Sequence, residues 1–154
     1  MNQPKPGGGI KIITENKKGR FDYEIIETYE AGIALMGSEV KSLRNAQVNL
    51  KDSYVSFRGN EAFLQNAHIG VYLASSYNNH EPERLRKLLL HAAEIEQIRS
   101  AVEQKGMACI PLKMYFKKGR AKVEIALGQG KKKGDKRQSI KKREADREMA
   151  RYKR

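Results

Sequence analysis

The chain has 154 residues with 31 Lys+Arg against 18 Asp+Glu, a formal net charge of +13, which leaves room for one domain and a tail. A single cysteine, Cys109, excludes a disulfide scaffold and a multi-thiolate metal site. The longest uncharged run, 62–80, carries Gln65, Asn66, His68, Asn78 and His80 and is too polar for a bilayer, so the expectation is a cytoplasmic protein with a polyanionic partner and no membrane contact.

Charge and apolar content divide the chain unequally. Residues 1–128 hold 19 basic, 14 acidic and 55 apolar side chains, whereas 129–154 hold 12 basic, 4 acidic and 5 apolar ones. Only the first part can bury a core that offsets chain entropy. The expected organisation is a Pro/Gly-rich flexible arm at 1–9, a folded domain at 10–128 and a basic tail at 129–154.

In chain order, 22–28 and 31–36 read as neighbouring β-strands joined at Tyr29-Glu30. Ser38 is an N-cap candidate for a short helix with Val40 and Leu43 inward and Lys41 and Arg44 outward. Arg58-Gly59-Asn60 predicts a hairpin between 53–57 and 61–69. Leu85, Leu88, Leu89 and Ala92 follow helical spacing after Pro82, and Ile95, Ile98 and Val102 continue an apolar stripe to Gly106, predicting two helices or one bent one. Met107–Lys117 and Arg120–Leu127 flank Lys118-Gly119 as a second hairpin, with Val123, Ile125 and Leu127 alternating against Lys122, Glu124 and Ala126. Short strands with helices between them predict a mainly β fold with α insertions, an OB-like closed antiparallel barrel.

Motifs for bond chemistry are missing from the sequence. No Gly-x-x-x-x-Gly-Lys-Ser/Thr loop occurs, and Gly7-Gly8-Gly9 precedes no strand-to-helix turn. His68, His80 and His91 lack metal-ligand spacing, and Glu81/Glu83 and Glu94/Glu96 read as solvated faces. The expectation is no enzyme, no cofactor and no metal. What remains is basic charge beside rings. Asn16-Lys17-Lys18-Gly19-Arg20 leads into Phe21 and Tyr23, and Lys41, Arg44, Arg84, Arg86 and Lys87 fall at exposed helical positions, a pattern that suits RNA phosphates and bases. The competing reading puts Phe21 and Tyr23 in the core and leaves a soluble basic surface. The tail has too thin an apolar stripe to dock on the domain, so it is expected to be disordered when free and to become helical against RNA.

Six segments together resemble the SsrA-binding protein family, SmpB: Asn16-Lys17-Lys18, Tyr29-Glu30-Ala31-Gly32-Ile33, Gly37 to Arg44, Asp52-Ser53-Tyr54, Arg86 to Leu90, and Gly130-Lys131-Lys132 to Asp135-Lys136-Arg137. The resemblance covers nearly the whole chain. It implies an OB-like barrel that binds the tRNA-like part of transfer-messenger RNA (tmRNA) and delivers it, with elongation factor Tu, to stalled bacterial ribosomes. The family's tmRNA-binding positions match Asn16, Glu30 and Leu89, and Lys17, Lys18, Arg20, Arg86 and Lys87 beside them would supply phosphate contacts. Leu89 also belongs to the leucine stripe and reads equally as core. The resemblance further implies a tail that enters the empty 16S rRNA decoding centre and mRNA channel, using Gly130, Lys131, Lys132, Lys133, Asp135, Lys136, Arg137, Lys141, Lys142 and Arg143. Where many members carry a histidine before Asp-Lys-Arg, this chain has Gly134. The alternative class is a general RNA-binding or ribosome-associated OB-fold protein.

Overall fold

The computed structural model describes residues 9–72, 79–131, 137, 140–145 and 147. Nine strands and three helices follow in the order β1 (Lys11–Glu15), α1 (Lys17–Asp22), β2 (Tyr23–Ile33), α2 (Gly37–Arg44), β3 (Val48–Asn49), β4 (Tyr54–Arg58), β5 (Glu61–Gln65), β6 (His68–Ile69), β7 (Arg86–Leu89), α3 (Ala92–Lys105), β8 (Ala108–Lys117) and β9 (Arg120–Gly130) among the described residues. Seven strands form one sheet in the order β1-β8-β9-β2-β7-β5-β4, and β3 pairs with β6 separately. Every pairing is antiparallel.

Both expected hairpins form. Gly59 has φ +60, and at the second turn Lys118 and Gly119 have φ +52 and +76, the left-handed pair that matches the twist of the strands they join. The closed barrel expected from the sequence does not form. β1 and β4 end the sheet, and no ladder joins them among the described residues. β4 does lie against β8. Between them, however, Tyr54–Phe57 and Met107–Ile110 line a groove of about 770 Å³ in place of paired backbone.

Three local expectations are corrected as well. Residues 22–36 are not two strands, because Tyr29 and Glu30 lie inside the single 11-residue β2. A bulge between Ile25 and Glu27 swaps the faces: Tyr23 and Ile25 pack with Ile110, Leu112 and Ala126, while Tyr29, Ala31 and Ile33 belong to the main core. The segment around Leu85–Leu89 is a strand rather than a helix, fixed by its pairing with β2 and β5. Helix α2 begins after Met36, whose N–H donates to the Glu39 carboxylate at 2.7 Å. Ser38 instead pairs its hydroxyl with His80 Nδ1 at 2.8 Å. Only α3 keeps its expected end, at Gly106 in the left-handed region with φ +65.

The main core joins Ala31, Leu43, Leu64, Leu88, Ile98, Met114, Val123 and Ile125. Inside it sits an ion pair. Glu39 and Arg86 are both fully buried, with Arg86 Nε 2.5 Å from Glu39 Oε2. Arg86 also donates to the carbonyls of Ala67 and Pro82 at 2.8 and 3.0 Å, and Arg84 reaches Glu39 Oε1 at 2.6 Å. Cys109 is buried on β8, and burial pushes its thiol up to about 12, as befits an inert core residue. No described helix is long and apolar enough to cross a membrane.

Candidate nucleic-acid interface

Alternation on β9 defines two faces. Val123, Ile125 and Leu127 enter the main core, so Lys122, Glu124 and Ala126 point the other way. Directly opposed residues of paired strands share a face, which brings Glu30 (opposite Glu124), Gly32 (opposite Lys122), Leu89 (opposite Gly32), and Lys113 and Tyr115 (opposite Glu124 and Lys122) onto this outer surface. Lys87 and Phe63 extend it across β7 and β5.

The result is a basic surface with rings set into it. Glu30, Gly32, Asn60, Lys87, Leu89 and Lys122 line a groove of about 570 Å³. Leu89 is 54% exposed, which resolves its two readings: Leu88 is core, and Leu89 faces solvent. A Cβ on Gly32 would meet Leu89 Cβ at 3.2 Å, so glycine there leaves the leucine its place. Lys87 pairs with Glu61 at 2.8 Å, and the Arg58 guanidinium lies 5.8 Å from the centre of the Phe63 ring. Glu30 accepts from the Tyr115 hydroxyl and lies 3.3 Å from Lys117 Nζ.

Helix α1 packs on β8 and β2 at the far end of the same face, with Gly19 close against Ile110. Asn16 ties it to the main chain of β8. Pro111 sits beside a bulge in β8 between Pro111 and Lys113, and Asn16 binds there, its Nδ2 donating to Pro111 O at 2.8 Å and its N–H to Leu112 O at 2.7 Å. Asn16 Oδ1 accepts from Gly19 N–H at 3.0 Å and so caps the helix. Asn16 is 4% exposed. Its amide is therefore engaged inside the protein, and what it presents is the α1 turn with exposed Lys17, Lys18 and Arg20. Arg20 reaches Glu124 at 3.5 Å, linking α1 to the Glu30 groove, whereas Lys18 turns to Asp52 at 2.6 Å, beside the other groove.

One predicted phosphate contact is corrected outright. Arg86 was expected at an exposed helical position, yet it lies on β7 with 0% exposure and its guanidinium bound to Glu39 and core carbonyls. Its alternation with exposed Lys87 follows from strand geometry, which the helical reading concealed.

The tail leaves β9 beside α1. Gly130 pairs with Tyr23, and Lys131 N–H donates to Asp22 O at 2.9 Å. Arg137, Lys141, Lys142 and Arg143 are exposed with helical backbone, and the Arg143 guanidinium lies 5.1 Å from the Phe21 ring centre. Lys132, Lys133, Gly134, Asp135 and Lys136 lie outside the described residues, as does the expected arm apart from Gly9.

A sequence profile described as SmpB protein matches residues 13–154. The chain belongs to the SmpB protein family. A Bdellovibrio bacteriovorus protein named SsrA-binding protein is 67% identical over 135 residues, covering 88% of this chain and 89% of that protein. The SsrA-binding protein of Syntrophobacter fumaroxidans is 55% identical over 150 residues, 97% of this chain and 93% of its own. Among solved structures, a chain described as "tmRNA-SmpB: a journey to the center of the bacterial ribosome" matches with a TM-score of 0.67 at 47% identity, over 82% of this chain and 93% of that one.

The sequence motifs do not mark Lys113, Tyr115, Lys117 and Lys122, which the outer face brings beside Glu30. A signal existed, since Lys113, Tyr115 and Lys117 alternate along β8 as Lys122 and Glu124 do along β9. Sequence alone did not contain the register that places Tyr115 against Glu30, 85 positions away.

Proposed function

We propose that this chain is an RNA-binding adaptor of trans-translation: it binds the tRNA-like domain of tmRNA and brings it to stalled bacterial ribosomes, with no bond chemistry of its own. The observation that carries this reading is high identity over nearly full length to SsrA-binding proteins, together with likeness to a solved tmRNA-SmpB chain. The outer face supports it physically. Cations at Arg20, Lys87, Lys113, Lys117 and Lys122 can neutralise phosphates, exposed Leu89 can pack on a base, and Glu30 can accept from base amino or ribose hydroxyl groups.

In this proposal residues 10–128 hold the RNA, and residues 129–154 enter the vacant decoding centre and mRNA channel, where rRNA phosphates meet Lys131, Arg137, Lys141, Lys142 and Arg143. Elongation factor Tu joins the delivery complex, and the setting is the cytoplasm. The two parts separate by experiment. Deleting 131–154 should leave tmRNA affinity within about tenfold, or 1.4 kcal/mol, while abolishing peptide tagging in a reconstituted translation assay. Unlabelled tRNA should compete poorly against labelled tmRNA for the full chain. Equal competition by unrelated RNAs would favour a general RNA-binding protein instead.

A further inference from the structure

Glu30 is held by a residue that the family motifs do not mark. Tyr115 sits on β8, with β9 between it and Glu30, and is 5% exposed. In register it faces Lys122 while Glu30 faces Glu124, so the phenol reaches diagonally across β9 to donate its hydroxyl to Glu30 Oε2. The ring is fixed from above as well, with Lys113 Nζ 5.7 Å from its centre. Lys117 Nζ approaches the two Glu30 oxygens at 3.4 and 3.3 Å. The Glu30 side chain itself remains 40% exposed at the edge of the groove that Gly32, Leu89 and Lys122 also line.

A surface glutamate ordinarily samples several rotamers and loses that freedom when it binds. Here one oxygen is tied to a buried phenol, and lone pairs remain toward the groove for a donor on a ligand. We propose that Tyr115 is a positioning residue for RNA recognition: it pre-orients the Glu30 carboxylate to accept a hydrogen bond from a base amino or ribose hydroxyl group. Tyr115 touches no RNA in this arrangement and acts through Glu30. The inference rests on the reading of Glu30 as an RNA contact made above.

The same hydrogen bond leaves a mark on ionisation. The Tyr115 hydroxyl, followed by Lys117, holds the Glu30 carboxyl below the usual carboxylate range against the opposing effect of burial. Burial first, and then Glu30, raise the phenol above its ordinary value.

The test is a double-mutant cycle in the full-length protein, with the tRNA-like part of tmRNA as probe and folding checked by circular dichroism. Glu30→Ala should weaken binding strongly. Tyr115→Phe, which removes one oxygen, should weaken it about tenfold with an unchanged salt slope, since no phosphate contact is lost. Adding Tyr115→Phe to Glu30→Ala should cost nothing further. A carboxyl NMR titration should show Glu30 titrating at higher pH in Tyr115→Phe than in the parent. Wild-type affinity for Tyr115→Phe beside a crippled Glu30→Ala would overturn the positioning role, and so would additive losses in the double mutant, the mark of a structural residue. Wild-type affinity for Glu30→Ala would instead overturn Glu30 as an RNA contact.

Discussion

Asn16 and Glu30 are marked by the same family resemblance, yet they handle their polar groups in opposite ways. Asn16 turns its amide inward, onto Gly19 and Pro111, and serves by holding α1 in place. Glu30 turns outward, anchored at Oε2 by the Tyr115 hydroxyl and flanked by Lys117, with its side chain still 40% exposed. Arg86 lies beyond Asn16 on the same scale, wholly committed to the core. The difference teaches that a motif residue can serve an RNA site by building its frame or by facing the ligand. Burial and the number of internal hydrogen bonds tell the two apart.

The frame should break hardest at the Glu39–Arg86 pair. Removing one partner of a buried ion pair leaves the other charge uncompensated, so Glu39→Ala should cost about 3–5 kcal/mol of unfolding free energy in urea titrations. A loss below about 1 kcal/mol would mean that the pair behaves like a surface bridge. pH offers a second handle. Burial pushes the Glu39 carboxyl up, but donations from Arg84, the Met36 N–H and Arg86 outweigh it and hold it below its ordinary 4.5. A carboxyl depressed in the folded state contributes stability that is present above its unfolded pKa and lost as pH falls through the folded one. The contribution should therefore start to fall as pH drops below the ordinary 4.5 and be lost as pH falls through the lower folded value, and Glu39→Ala should flatten that part of the stability profile.

Asn16 comes next. Asn16→Ala removes the α1 cap and the donor to Pro111 O, a loss of about 1–3 kcal/mol, and tmRNA affinity should fall with it as α1 frays. Asn16→Asp keeps an oxygen for the Gly19 N–H but sets its other carboxylate oxygen against Pro111 O, acceptor against acceptor at a buried position, so it should cost at least as much as Asn16→Ala. Native melting with lost affinity in Asn16→Ala would erase the contrast with Glu30 and make Asn16 a direct contact.

How much of this was legible in the sequence depends on how local the cause is. Arg58-Gly59-Asn60 and Lys118-Gly119 announce their hairpins because a two-residue turn carries its own chemistry. Alternation along β9 announces its two faces for the same reason. Leu85, Leu88 and Leu89 deceive, because three leucines satisfy helical spacing by chance and only pairing to β2 and β5 makes the segment a strand. The bulge in β2 puts odd-numbered residues on different faces before and after it, so no single period describes the strand. The motifs singled out Glu30 and Leu89. Their meeting with Lys122 in one groove depends on register, which no local pattern contains.

The smallest expected effect lies at the rim, where Lys18 Nζ rests 2.6 Å from Asp52 Oδ1, both exposed. Lys18 is thus already partnered before any phosphate arrives. Lys18→Ala should leave melting unchanged and reduce the slope of log K against log salt by about 0.7–0.9, one phosphate's share. Releasing the lysine should do the reverse. Asp52 has φ +62, a conformation that asparagine tolerates and alanine does not, so Asp52→Asn removes the charge without straining the turn. If Lys18 contacts phosphate, Asp52→Asn should tighten tmRNA binding at low salt and steepen the slope, opposite to Lys18→Ala. Equal slopes in both variants would mean that Lys18 only pins the 50–53 turn to α1, and would move it from the ligand-facing group to the frame beside Asn16.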